Sequence, residues 1–187
     1  MEPRYKIKTA PTFDPVSIEQ LKWNLHIDQD DHYQDEYLLD IIRSTVEAIQ
    51  LSIGRQIAQA TYTGYLDDFA DDIVITLGPV DSIVSIKYYN SSNELTTLDS
   101  SNYLLDNSEL TARVRFLETP SVYGDRLNAV EIEFTNGWED AASVPRDIKD
   151  AIILLASERY LNPENPGIST QQSAAERLLR NYRVQRY

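Results

Sequence analysis

Acidic and imidazole side chains are the only candidates for chemistry in this chain. His26 and His32 are its two histidines, six residues apart and interleaved with Asp28, Asp30 and Asp31. A metal would need them to converge from one loop. The spacing matches neither a helical zinc motif nor a calcium loop with its required glycine. The run is read as a helix break whose aspartates cap the next helix. Asp67-Asp68-Phe69-Ala70-Asp71-Asp72 is the densest acid cluster. Paired carboxylates can hold a divalent cation or carry acid/base steps. Here they fall in a turn between two β-segments with no basic neighbour in sequence, and a solvated hairpin loop is the expectation. A metal-dependent hydrolase built on this cluster is the weakest of three functional readings.

Other chemistries lack their signatures. With no cysteine there is neither a disulfide framework nor a thiolate site. Six glycines supply no nucleophile elbow and no phosphate-cradling loop. No catalytic residue, metal ligand or cofactor is assigned. Twelve tyrosines, with Trp23 and Trp138, suit interfaces or a β-rich core. They leave open a ligand- or carbohydrate-binding β-module with helical flanks, stacking on Trp138 and the tyrosines.

Charge is more informative. The formal net charge is -13 and the isoelectric point about 4.5, which disfavours generic nucleic-acid binding. Basic residues gather at the ends, Arg4, Lys6 and Lys8 at the front and Arg177, Arg180, Arg183 and Arg186 at the back. Basic ends on an acidic body suit contact between copies or an acidic partner. The front lacks an apolar run for a secretory signal, and no segment reaches the ~18 apolar residues of a membrane span. A soluble chain made in the host cytoplasm is expected, with no membrane partner.

The elements that would position these residues fall into blocks. Residues 1–14 carry turn formers without periodicity and are expected as an extended basic arm. Ser17-Ile18-Glu19-Gln20 is a capping box that opens a helix to about Leu25. A second helix is expected from about Asp31 to Ile53, with Leu38, Ile42, Val46, Ile49 and Ile53 on one stripe. Glu36, Asp40, Arg43 and Glu47 lie opposite, Arg43 spaced to pair with Asp40 and Glu47. Gly54 is placed to end it in a left-handed conformation.

Short β-segments come next across 56–142, at about 57–65, 73–77, 83–89, 94–98, 103–105, 112–117 and 129–135. Arg113 and Arg115 are spaced to pair across to Glu131 and Glu133. A helix from Ser143 to Leu161, capped by Ser143 or Val144 with Pro145 in its first turn, carries apolar residues nearly all round and is expected at the centre. Ser169-Thr170-Gln171-Gln172 offers a second capping box. The last helix sets Ala174, Ala175, Leu178, Leu179 and Tyr182 against Arg177, Arg180 and Arg183. That sorting marks a docking helix, onto its own body or a partner. The fold class is therefore α+β: a small helical bundle from 15–55 and 143–187, with an antiparallel β insertion over 56–142.

The order of these parts resembles the head–tail connector, or head-completion adaptor, proteins of tailed phages, in the branch with a β-rich insertion. The resemblance rests on Val16-Ser17-Ile18-Glu19-Gln20-Leu21-Lys22 through the long helix to Gly54-Arg55, and on Ile73 to Leu77 with Gly78-Pro79-Val80-Asp81 through Tyr89. It rests equally on Val130-Glu131-Ile132-Glu133-Phe134-Thr135-Asn136-Gly137-Trp138 leading to Val144-Pro145-Arg146-Asp147, and on Leu178-Leu179 with Tyr182-Arg183. Residues before Asp14 do not match the pattern, and Tyr89 to Leu127 match it loosely. The resemblance implies a non-enzymatic ring, usually of twelve copies, below the portal at the head–tail junction of a phage or prophage particle. Its partners would be other copies of itself, the portal, and the next head-completion or tail protein. Duplex DNA would pass through without specific binding. Candidate interface residues are Glu36, Asp40, Arg43, Glu47, Arg177, Arg180 and Arg183.

Overall fold

The computed structural model describes residues 2–164 and 170–184, without the side chains of 170–172. It is α+β and divides into two compact units, Met1–Thr12 with Gln59–Trp138 and Phe13–Ala58 with Glu139–Tyr187.

The first unit is built of antiparallel strands, with one 3₁₀ turn at Ser100–Asn102: β1 (Arg4–Thr9), β2 (Ala60–Leu66), β3 (Asp72–Ile75), β4 (Val80–Tyr89), β5 (Leu95–Thr97), β6 (Tyr103–Asp106), β7 (Ala112–Phe116) and β8 (Val130–Asn136). Five form one sheet in the order β1-β2-β8-β4-β5, and three another in the order β3-β7-β6. Alternation sets the burial. On β8, Val130, Ile132 and Phe134 are buried while Glu131, Glu133 and Thr135 face outward. On β7, Ala112, Val114 and Phe116 are buried between exposed Arg113 and Arg115. These residues join Leu66, Ile73, Ile75, Val80 and Ile86 in one apolar cluster drawn from both sheets. Phe134 is its aromatic centre, edge-on to Tyr5 at 5.9 Å and stacked on Tyr62 at 6.3 Å.

Three expectations change here. Residues 1–14 are not an arm apart, since Arg4–Thr9 pair with β2 in register from Arg4↔Tyr65 to Thr9↔Thr61. As an edge strand β1 buries little, so its sequence shows no alternation, and its basic residues discourage further strand addition. The pairing of Arg113 and Arg115 with Glu131 and Glu133 does not occur, because β7 lies between β3 and β6 in the smaller sheet. Arg115 instead pairs with Asp72 at 2.9 Å. β2 and β3 likewise belong to different sheets, so the acid cluster joins two sheets rather than closing a hairpin.

The second unit is helical: α1 (Ile18–Leu25), α2 (Asp35–Ile53), α3 (Arg146–Leu161) and α4 (Thr170–Leu179), the last extended by a 3₁₀ turn over Arg180–Tyr182. α1 opens with both halves of the Ser17–Gln20 capping box. α2 ends at Gly54 with φ 71°. It begins four residues later than expected, because Asp28–Gln34 fold into turns in which Tyr33 N donates to Asp31 Oδ1. α3 begins after Pro145. Ser143 caps nothing and closes a turn on Asp140 instead, Ser143 N donating to Asp140 Oδ1 at 2.7 Å.

α3 packs against α1, α2 and α4 and buries Ile148, Ala151, Ile152, Ala156 and Ser157. α4 docks on its own chain through Ala175 and Leu179. The chain after it is clasped to the end of α2, Val184 N donating to Ile53 O at 2.8 Å and buried Arg55 Nε to Tyr182 O at 2.7 Å. The second capping box, Ser169 to Gln172, lies outside the residues whose side chains are described. No helix among the described residues is long and apolar enough to cross a membrane.

Candidate interface surfaces

The outward face of α2 arises from its pitch. At about 100° per residue, Glu36, Asp40 and Glu47 fall within roughly 40° of one another, opposite buried Leu38, Ile42 and Ile49. All three are exposed, and none has an ion-pair or hydrogen-bond partner among the described residues. Arg43 shares this face but does not join them. Its guanidinium turns to Asp14, with Nε to Oδ1 and an Nη to Oδ2 each at 3.2 Å. The one positive charge on this face is thus held mainly by a residue before α1, with Asp40 acting on it only at longer range. Leu51, 85% exposed, and Tyr37 lie beside the strip.

The opposite charge stands on α4 and its extension. Arg177, Arg180 and Arg183 are all exposed. Arg180 opens the 3₁₀ turn and Arg183 follows it in extended backbone. No carboxylate among the described residues pairs with any of the three. Arg177 Nε donates to Ser173 O at 3.3 Å and an Arg183 amine reaches Ser52 Oγ at 3.5 Å.

The outer face of the five-stranded sheet carries charged rows. Lys6, Thr63, Glu133 and Ser85 are successive cross-strand neighbours, as are Tyr65, Glu131 and Lys87. Lys8 Nζ bonds Glu133 Oε1 at 2.7 Å. A depression of about 360 Å³ lies over these rows. A second hollow, about 770 Å³, opens between α1 and α3 beside Trp23, which is 78% exposed.

The residues weighed for chemistry do not converge. Asp67 accepts from an Arg4 amine at 2.7 Å and from Asn128 N at 2.8 Å, and Asp72 from Arg115. The two carboxylates are committed to different cations, which hold both below the ordinary aspartate range. His26 is the left-handed C-cap of α1, and His32 lies 2.7 Å from Asp35. Among the described residues no group of three or more His, Asp or Glu could hold a metal. Tyr5, Tyr62, Tyr88 and Tyr103 pack on the apolar cluster, and Trp138 is half-buried, rather than forming a flat stacking platform.

Lys22 is a residue whose part the sequence pattern alone did not disclose. Its side chain is 2% exposed and its ammonium donates to Asp31 O at 2.7 Å and pairs with Asp35 at 2.5 Å. This link, with a further bond from His32, holds the Asp35 carboxyl below its usual range. The signal was present: Ile18, Leu21, Lys22 and Leu25 share one helical face, so Lys22 stands on the buried stripe ahead of four aspartates.

Neither a protein-family model nor a curated protein matches the chain. Solved structures do. The chain is similar to one from the neck of an empty gene transfer agent (GTA) particle computed with C6 symmetry, at TM-score 0.83 and 19% identity, covering 98% of this chain and 97% of that one. A chain from the virion of a native gene transfer agent particle matches at TM-score 0.81 and 19% identity, covering 98% and 96%. One from the neck of a native GTA particle computed with C12 symmetry matches at 0.72 and 18%, covering 98% and 97%. At these identities the likeness establishes a common fold along the whole chain.

Proposed function

We propose that this chain is a structural neck protein of a phage-like particle: a head–tail connector that forms a ring, of twelve copies, below the portal. The observation that carries the reading is the full-length fold likeness to chains from particle necks, one of them computed with twelvefold symmetry. The surface chemistry supports it. Of the candidate catalytic carboxylates, Asp67 and Asp72 are tied up in ion pairs that join strands, while charge of both signs without ion-pair partners among the described residues stands on exposed helix faces. A protein whose work is to touch neighbours needs the second and not the first.

In this role the ring extends the DNA channel and offers a platform for the next head-completion or tail protein. A net charge of -13 suits a wall past which duplex DNA slides without sticking, because like charge repels phosphate. The chain is made in the cytoplasm of the host bacterium, is retained at the head–tail junction and catalyses no reaction. Removing the gene tests this. The reading expects DNA-packaging heads and separate tails that fail to join, with joining restored by the intact chain supplied in trans. Normal tailed particles without the chain would sink it.

A further inference from the structure

The helical unit presents two faces of opposite charge without ion-pair partners among the described residues, and the Asp40–Glu47 part of the acidic one matches the basic one in length. Arg177, Arg180 and Arg183 span about 10 Å along α4, its 3₁₀ extension and the residue that ends it, from rises of ~1.5 and ~2.0 Å per residue. Asp40 and Glu47 are about 10 Å apart along α2 by the same rise, with Glu36 one turn further on. The match in charge depends on a contact that sequence spacing did not suggest. Had Arg43 paired with Asp40 and Glu47, one of the strip's three negative charges would be offset locally. Because Asp14 holds Arg43, three carboxylates stand free of ion pairs among the described residues. α2 and α4 each pack on α3, so the two faces belong to different helices of one unit.

We propose that a second copy of this chain occupies each face: the arginine column of one copy lies against the Glu36–Asp40–Glu47 strip of the next. The proposal rests on the ring reading above and names its joint. A closed ring requires heterologous contacts, in which one patch meets a different patch around a rotation axis. A basic column meeting an acidic strip is such a contact. It also forbids the like-with-like alternatives, since arginine against arginine or acid against acid repels. Leu51 and Tyr37, exposed at the edge of the strip, supply apolar surface for the joint to cover. Electrostatic contacts of this kind weaken as salt shortens the screening length to about 8 Å at physiological strength and below.

The chain has no cysteine, so introduced thiols are its only ones. Arg180→Cys protein is mixed with Asp40→Cys or Glu47→Cys protein under assembly conditions, oxidised, and resolved without reductant. In parallel, R177E/R180E/R183E and E36K/D40K/E47K proteins, and a chain carrying all six changes, are scored for rings by electron microscopy and for incorporation into particles. The joint predicts a disulfide-linked dimer from at least one mixture and none from any single variant. It predicts at least a tenfold loss of assembly for each triple reversal, and recovery when both reversals sit in one chain. Should a reversed chain fail to fold, the cysteine mixtures still decide. Rings of unaltered protein with no cross-link, and a folded arginine reversal that assembles normally, would overturn the joint and leave the ring standing. Unaltered protein that neither forms rings nor enters particles would remove the ring itself.

Discussion

Gly78 sets the tightest local constraint in the β unit. A Cβ built there would lie 1.8 Å from the carbonyl oxygen of Leu110, a backbone atom with no rotamer to escape through. Gly78→Ala should therefore destabilise the protein by on the order of 3 kcal/mol, within the range for forced overpacking. Thermal unfolding would show it as a clear fall in the midpoint, and an unchanged midpoint would contradict the close approach. The sequence shows Gly78-Pro79 as a strand stop but not the carbonyl that makes glycine obligatory, because that contact comes from a residue 32 positions away. Arg43 teaches the same lesson at the candidate surface. Helical spacing offers it Asp40 and Glu47, yet Asp14, outside the helix, takes it. Periodicity ranks partners on one element and cannot see those the chain folds in from elsewhere.

At the scale of elements, three ion pairs tie strands within the β unit. Arg4 to Asp67 anchors the start of β1, Lys8 to Glu133 links β1 to β8, and Arg115 to Asp72 links β7 to β3. The Arg4 hydrogen bond is the main cause of the low pKa of Asp67, with the Asn128 amide second, and the Arg115 hydrogen bond is the main cause for Asp72. Both folded-state values lie below the ordinary 3.8. A carboxyl with a depressed folded pKa stabilises above the unfolded value and loses that contribution as pH falls through the folded one. Melting points are thus predicted to hold above about pH 5 and to drop below 3.8. Asp67→Asn or Asp72→Asn should lower the plateau and flatten the acid decline; an acid decline as steep as that of the unaltered chain would contradict the assignment. Helices are the more legible elements. The Ser17 box, the apolar stripe of α2 and its Gly54 stop are local signals, and each appears where the residues predict. Strand existence is also legible, but sheet membership is not. Arg113 and Arg115 have the right alternation to face Glu131 and Glu133, and only the three-dimensional strand order assigns them to β3 and β6. β1 escaped notice because an edge strand with charged outer residues buries too little to leave a pattern.

For the whole molecule, the α+β class and the origin of the bundle from both ends of the chain are legible in hydrophobic period alone, helical at the flanks and strand-like between. Function is legible by a different route. No residue motif names it: Asp67 and Asp72 tie strands, His26 caps α1 and His32 pairs with Asp35. What remains is a surface with acids on one helix and arginines on another that have no ion-pair partner among the described residues, in a fold that the chains of particle necks also adopt. The central claim is that copies of this chain close into a ring at the head–tail junction. Cryo-electron microscopy of particles from the cell that encodes it tests this most directly, by averaging the neck with its rotational symmetry free. The account predicts a closed ring of this chain below the portal, twelve copies around the DNA channel. A neck resolved to side chains with no copy of this chain in it would contradict it.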